Sequence, residues 1–539
     1  MSASNPSRLY LLVVLSIGLL AAGGYFLAEV YFFDGDLGFP LDDSWIHLQF
    51  AHNLHLGDGL TYNPGEPVAG STAPLWTAVL ALLHLLPGSV IVWTKLVGIV
   101  LYLAGLHAVF VLSRELGLSS GLAAFAGAMT ALTSWLLWSA VSGMEVPLFI
   151  WLSLWGVVFH LRERVAQSAS TVALPLFAMS ALARPEGVLL LVLAAGDRLL
   201  EWERPDGSLR LRLGRWQAVA KGVVFTAVLL VPVAIFNHRI SGLFLPTTFS
   251  AKSSGVRNLL PDLRFIHEIL SIFLRPHPYL TFLAAAGCLV LIERLGHRRG
   301  RGLLPGLWLV ALPLAYSTLG ATMTNVLVGN FGRYFYPLFP FVVIAATLAI
   351  ERAAESIGPR LAIGRTRLPL RAALVVLVVW PTMTGAIKGS GLYLQAVSNI
   401  QDGDVQIAKW LGEHVDPRAL LAVNDVGAIK YMLPNSVIDM AGIIHPEVMQ
   451  YMEEAKRAGS DWRTGVLRFL EERKPDYLVI FPTWYPELER LDARYQPQFE
   501  LEVLNNVALG GNSIVIYRTP WTRYPLRSSP PDGESPRPG

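Results

Sequence analysis

The chain has 539 residues, 53% of them hydrophobic and only 15% charged, and a mean hydropathy of +0.46. A soluble globular domain carries roughly 25% charged residues, so a soluble protein is excluded. The net charge of +3 argues against a nucleic-acid partner, and the single cysteine, Cys288, leaves no intrachain disulfide on which folding could depend.

Apolar runs of about 20 residues, the length that crosses a bilayer, recur along most of the chain. The first, near Leu9 to Phe33, is too long for a signal peptide and lacks a small-residue cleavage site, so it reads as a retained anchor. Full spans are expected near 9–32, 90–113, 119–139, 145–161, 217–236, 278–295, 303–321, 335–352 and 371–388. This describes a polytopic α-helical membrane protein. Residues 1–389 form the transmembrane domain, with a first outer loop at 34–88.

Basic residues set the orientation. One side of the membrane receives Arg8, Arg114, Arg162, Arg164, the run from Arg198 to Lys221, Arg298 to Arg301 and Arg360 to Arg371. The loop from Asp34 to Gly88 has no Lys or Arg. The N-terminus is therefore expected in the cytoplasm, and the loop outside a cytoplasmic (inner) membrane.

Two short elements are expected in that loop. Asp43 to Leu54 has Ile46, Phe50 and Leu54 at helical spacing, with His47, Gln49, His52 and Asn53 off the stripe. Such a helix would lie in the membrane interface. Ala73 to Leu86 is short for a span and suits an interfacial or re-entrant helix. Further on, residues 171–200 lie between two basic loops and centre on Ala183-Arg-Pro-Glu-Gly187. Two short helices broken at Pro185 and Gly187 are expected, lining a wet cavity. A hairpin on the cytoplasmic side with a surface Arg-Glu pair is the other reading.

After the last span, helical and strand patterns alternate. Ile407 to Leu411 reads as helix; Ala419 to Val423, Tyr477 to Ile480 and Ser513 to Tyr517 read as strands. Residues 390–520 are thus expected to form an extracytoplasmic α/β domain. Residues 521–539, rich in Pro, Ser and Gly toward the end, are expected to form a disordered tail.

The motifs along this frame are more specific together than singly. Asp42-Asp43 follows the first span, and Asn63-Pro-Gly-Glu-Pro-Val-Ala-Gly-Ser-Thr-Ala-Pro-Leu-Trp76 follows it. Then come Ser142-Gly-Met-Glu-Val-Pro147, Ala183-Arg-Pro-Glu-Gly187, Leu245-Pro-Thr-Thr-Phe-Ser-Ala-Lys252 and Gly332-Arg-Tyr-Phe-Tyr-Pro337. Asn424-Asp-Val-Gly427 and Ile438-Asp-Met-Ala-Gly442 close the series. The series resembles the GT-C superfamily of integral membrane glycosyltransferases. Within it, the series is similar to the bacterial branch that contains the terminal β-(1→2) arabinofuranosyltransferase. One departure stands out: the branch often has Pro-Asn-Thr where this chain has Pro246-Thr247-Thr248.

The resemblance implies an inverting transferase that takes a sugar from a polyprenyl-phosphate donor outside the membrane. It implies Asp42 as general base and Asp43 as its neighbour, orienting the acceptor or tuning Asp42. Lys252, Arg333 and Arg184 are the candidates for the donor phosphate, since developing phosphate charge calls for fixed cations. Glu145, Glu186, Tyr334 and His47 are further substrate-binding candidates. A divalent metal is left open. The acceptor is left open among glycan, lipid and protein, and membrane lipids are the remaining partners. Two rivals stand beside this reading. One is a transporter or flippase of lipid-linked sugars, which broken helices would suit. The other is a non-catalytic subunit that binds glycolipid.

Overall fold

The computed structural model describes residues 6–166, 171–203, 210–213, 216–247, 263–274, 277–295, 303–318, 331–356, 368–485 and 493–527. Helix α1 (Pro6–Phe32) leads into the first outer loop, which carries α2 (Asp42–Leu56) and α3 (Pro74–Leu83). There follow α4 (Val90–Glu115), α5 (Ser120–Ala131), α6 (Ser134–Val141), α7 (Val146–Val165), α8 (Ala173–Ala183) and α9 (Gly187–Leu199). A hairpin of β1 (Leu200–Glu203) and β2 (Arg210–Leu213) precedes α10 (Trp216–Ser241), α11 (Leu263–Leu274), α12 (Pro278–Leu295) and α13 (Leu303–Thr318). A 3₁₀ turn, Arg333–Leu338, runs into α14 (Phe339–Ser356), and α15 (Leu368–Ile400) completes the bundle.

Among the described residues, six helical segments are long and apolar enough to cross a membrane: α1, α4, α7, α10, the turn with α14, and the stretch beginning at Ala373 in α15. The count is seven if α5 and α6 form one span bent by 62°. Three of the nine expected spans are not among these six. The 119–139 run bends because Thr133 leaves the helical region with ψ 115. The 278–295 and 303–321 runs are present as α12 and α13, whose described apolar stretches are Pro278–Ile292 and Leu303–Thr318.

The expected break in 171–200 is present. Helix α8 ends where Arg184 turns extended (φ −154, ψ 140), and Pro185 offers no N–H to continue it. The basic ends of these helices gather at one end of the bundle, where Arg162 pairs with Glu115 and Arg164 with Asp197.

One ion pair lies wholly inside the bundle. Lys95 Nζ of α4 donates to Glu29 Oε2 of α1 (2.9 Å), to Val141 O (3.0 Å) and to Tyr393 Oη of α15 (2.9 Å). Both charged side chains are 0% exposed. Burying two charges is costly unless every donor and acceptor is matched, and here they are. Glu29 Oε1 also accepts the N–H of Gly38 (3.0 Å). The pair therefore anchors the backbone that leads to Asp42.

Helix α2 corrects an expectation. It does not lie on a membrane surface with one apolar face, because Ser44 to Ala51 are all buried. The bundle and α3 cover one side of α2. The C-terminal domain covers the other, with the Trp45 and Tyr431 rings 5.4 Å apart. A helix with partners on two sides has no polar stripe to find, and Gln49 and Asn53 are buried by bonding to the Tyr62 carbonyl (3.1 and 3.0 Å).

The C-terminal domain follows α15 through a π-helical turn, Gln401–Val405, and α16 (Gln406–His414). Helix α15 runs on to Ile400, so the expected boundary at 389/390 falls inside a continuous helix. The domain contains β3 (Leu421–Val423), α17 (Gly427–Met432), β4 (Val437–Asp439), α18 (Glu447–Arg457) and α19 (Trp462–Arg473). It ends with β5 (Tyr477–Ile480), β6 (Gln496–Glu502) and β7 (Ser513–Arg518). The five strands are ordered β4-β3-β5-β7-β6, with β3 parallel to β4 and β5, and β7 antiparallel to β5 and β6. The three expected strands and the expected helix are all present. Residues 521–527, expected in the tail, instead fold back on the domain. Tyr477 Oη donates to Tyr524 O (2.7 Å), and Arg523 pairs with Asp476 (2.7 Å).

Candidate active site

The site forms where the first outer loop meets both the bundle and the C-terminal domain. Gly143, with φ +78, turns the chain between α6 and α7 beneath Phe39. That turn holds the loop, since Ser44 Oγ donates to Ser142 O (2.8 Å) and Trp76 Nε1 to Gly143 O (3.0 Å).

Asp42 opens α2, and its carboxylate reaches the C-terminal domain. Oδ2 accepts the N–H of Gly427 and Oδ1 the N–H of Ala428, each at 2.7 Å. Gly427 is required at this approach, because a Cβ there would overlap Asp42. Burial pushes the Asp42 carboxyl up to about 7; the two N–H donors oppose the rise, and Asp43 and Asp439 add to it. A carboxyl near neutrality is matched to general-base work at physiological pH.

Asp43 lies in the first turn of α2. Its Oδ2 pairs with Arg333 Nη2 at 3.1 Å. Arg333 is 3% exposed, and its Nη1 is buried without a hydrogen-bond partner among the described residues. The Tyr334 ring lies 5.6 Å from the Arg333 guanidinium and 5.2 Å from that of Arg184.

Arg184 is already balanced by two carboxylates. Its Nη1 donates to Glu145 Oε1 (2.5 Å) and its Nη2 to Glu186 Oε1 (2.8 Å). Tyr316 Oη also donates to Glu186 (2.5 Å). Glu145 faces His47 Nε2 at 3.3 Å, which ties α2 to the start of α7, and His47 is buried. Burial alone would raise the Glu145 carboxyl; Arg184, His47 and Arg333 outweigh it and hold it at about 2. Asp42, Asp43, His47, Glu145, Arg184, Glu186, Arg333 and Tyr334 thus form one contiguous cluster. Lys252 lies outside the described residues. The segment before it does reach the site, with Thr247 N donating to Ala69 O (2.9 Å) and Thr247 Oγ1 to Ile443 O (3.1 Å).

The sequence reading assigned no role to the carboxylates of the C-terminal domain. Asp425 and Asp439 follow or end the parallel strands β3 and β4, the edge where α/β sheets bind ligands. Asp439 is pushed up to about 6 by burial, against N–H donors from Ile444 (2.6 Å) and Ala441 (2.7 Å). Asp425, partly exposed, stands well above the usual carboxylate range through desolvation in this cluster, to which Asp42, Asp43 and Asp439 add. The placement of their motifs at strand ends was the available signal. Among the described residues, no three His, Cys, Asp or Glu side chains are arranged to hold a metal.

Residues 394–521 match the model of a domain of unknown function (DUF8728). No curated protein matches the chain in sequence at a significant level. In structure the chain is similar to ArnT from Cupriavidus metallidurans bound to undecaprenyl phosphate. The TM-score is 0.53 at 16% identity, over 96% of this chain and 98% of that one. It is also similar to the oligosaccharyltransferase of Archaeoglobus fulgidus, with TM-score 0.56 at 12% identity over 94% of this chain and 76% of that one. The same archaeal enzyme, AglB, in complex with an inhibitory peptide and a dolichol-phosphate gives TM-score 0.54 at 12% identity, over 96% and 76%. These neighbours are GT-C glycosyltransferases and multi-pass membrane proteins. The chain has their fold, as its motifs led us to expect.

Proposed function

We propose that the chain is an inverting glycosyltransferase of the cytoplasmic membrane, moving a sugar from a polyprenyl phosphate to an acceptor hydroxyl on the extracytoplasmic side. The observation that carries this reading is the Asp42-Asp43 pair at the joint of bundle and C-terminal domain, beside an arginine with a spare donor. The first outer loop and the C-terminal domain lie on one side, joined through Asp42 and Gly427. The absence of Lys and Arg from residues 34–88 supports placing that side outside.

Each oxygen of the Asp42 carboxylate gives one lone pair to a backbone N–H and keeps another. That lone pair takes the acceptor proton as the acceptor oxygen bonds to the anomeric carbon. The bond from that carbon to the phosphate oxygen breaks, and its electron pair leaves with the phosphate. Arg333 Nη1 supplies a charge-assisted hydrogen bond to the departing group. Lys252 is the second cation in this reading. One displacement inverts the anomeric centre. Arg184, bonded to Glu145 and Glu186, holds the walls of the site. The flippase reading has no particular support, because the charges at the α8–α9 break are internally paired.

The test is transfer by purified protein from synthetic polyprenyl-phosphate pentofuranoses and hexopyranoses, with the product anomer read by NMR. The arabinofuranosyltransferase-like motifs make pentofuranoses the first donors to try. Retention of configuration, or transport without transfer, would refute the proposal. For orientation, cysteine at Asp58 or Ser460 should react with an impermeant maleimide on spheroplasts, and cysteine at Ser208 should not.

A further inference from the structure

Four aspartates meet at the proposed site, the base Asp42 included, and three of them hold a hydrogen bond or ion pair. Asp42 is bonded to Gly427 and Ala428. Asp43 is paired with Arg333. Asp439 closes its own turn through Ala441 and Ile444. The fourth, Asp425, is partly exposed and has no hydrogen-bond partner among the described residues.

The position of Asp425 is nonetheless tightly built. Its neighbour Asn424 is buried and anchors the turn to β5. Asn424 Oδ1 accepts the N–H of Phe481 (3.1 Å), and its Nδ2 donates to Tyr485 Oη (3.2 Å). Two residues further on, Gly427 is bonded to Asp42. Asp425 is thus held beside the base with its lone pairs available. Close by, Asp404 is buried, and its Oδ2 has no hydrogen-bond partner among the described residues.

We propose that Asp425 binds the acceptor, and that the acceptor is an uncharged sugar whose neighbouring hydroxyls are taken by Asp42 and Asp425. This rests on the reading of Asp42 as base. The chemistry that satisfies Asp425 is a hydroxyl donor, since an anionic acceptor would face several carboxylates and one cation. An acceptor with a single hydroxyl would close the site over an unpaired carboxyl group, whose lost solvation is costly. A sugar carries a second hydroxyl next to the one that reacts. The C-terminal domain then does more than cover the site: it supplies the residue that selects a glycan over a simple alcohol.

The experiment uses full-length protein in nanodiscs with the polyprenyl-phosphate donor panel. The acceptor probes are octyl glycosides, their monodeoxy analogues lacking one hydroxyl next to the reactive position, and 1-octanol. Removing that hydroxyl should raise the acceptor KM about tenfold for the wild type, the scale of one hydrogen bond. Asp425→Ala should raise the KM of the parent glycoside by a similar factor, with donor KM held within twofold. The two losses should not add when combined. Asp425→Asn, which keeps one acceptor oxygen, should lie between. An unchanged acceptor KM in Asp425→Ala, or fully additive losses, would overturn the assignment. So would equal use of 1-octanol, or no octyl glycoside bound in saturation-transfer NMR. Donor hydrolysis without acceptor reports on Asp42 separately: its survival in Asp42→Asn would sink the base reading while leaving the acceptor KM test to judge Asp425.

Discussion

The Asp42 carboxylate accepts the backbone N–H of Gly427 at 2.7 Å, across 385 residues of chain. The proposed base is therefore positioned by the C-terminal domain as much as by the loop that carries it. Gly427→Ala tests this directly. Its Cβ would overlap the Asp42 backbone and carboxylate, so Asp42 must move. We expect turnover to fall more than about tenfold, because small misplacements of a reacting group are costly. Circular dichroism and gel filtration should show an intact fold. Unchanged turnover would mean that this contact does not position the base.

Arg333→Ala should weaken use of the donor. It removes the guanidinium that faces Asp43 and carries the spare Nη1. The loss in kcat/KM for the donor should be about 1.5–3 kcal/mol, the scale for a hydrogen bond to a charged group. Lys252→Ala is expected to act in the same direction. Steady-state kinetics with varied polyprenyl-phosphate sugar would reveal it, and wild-type values in both variants would reassign these cations to lipid headgroups.

The pH profile should carry the signature of Asp42. With its carboxyl at about 7, the base is protonated and idle below that pH and ionised above it. The rate should therefore rise with pH and level off above about 7, falling tenfold per unit on the acid side. Glu145, held at about 2, stays ionised throughout and adds no limb. A profile flat from pH 5 to 9 would exclude Asp42 as the titrating base.

Lys95→Met should destabilise the bundle severely, because it leaves the Glu29 carboxylate buried and unpaired. Breaking a buried pair costs about 3–5 kcal/mol. Combining it with Glu29→Gln should recover part of the loss. Thermal unfolding in detergent, followed by tryptophan fluorescence, would show both effects. A single variant as stable as wild type would mean that water reaches this site.

Much of this was legible in the sequence because it is written in local patterns. Apolar runs gave the spans, Pro185 gave the α8–α9 break, and short apolar runs after the last span gave β3, β5 and β7. Asp42, Asp43 and Arg333 stood out through their motifs. What escaped depends on contacts between distant segments. The burial of α2 on two sides, the Glu29–Lys95 pair and the nearness of Asp425 to Asp42 involve partners far apart along the chain. Helix α2 looked interfacial because only one of its two partners leaves a periodic trace. Strand β4 has three residues, too few to show alternation.

The most direct measurement of the central claim is turnover by Asp42→Asn with a labelled polyprenyl-phosphate sugar, with donor affinity measured separately. Asn keeps the size of the side chain and one acceptor oxygen, but it cannot take the acceptor proton. The account predicts a fall of about 10²–10⁴-fold in turnover, with donor affinity little changed because the base acts in the transition state. Full turnover in Asp42→Asn would contradict it.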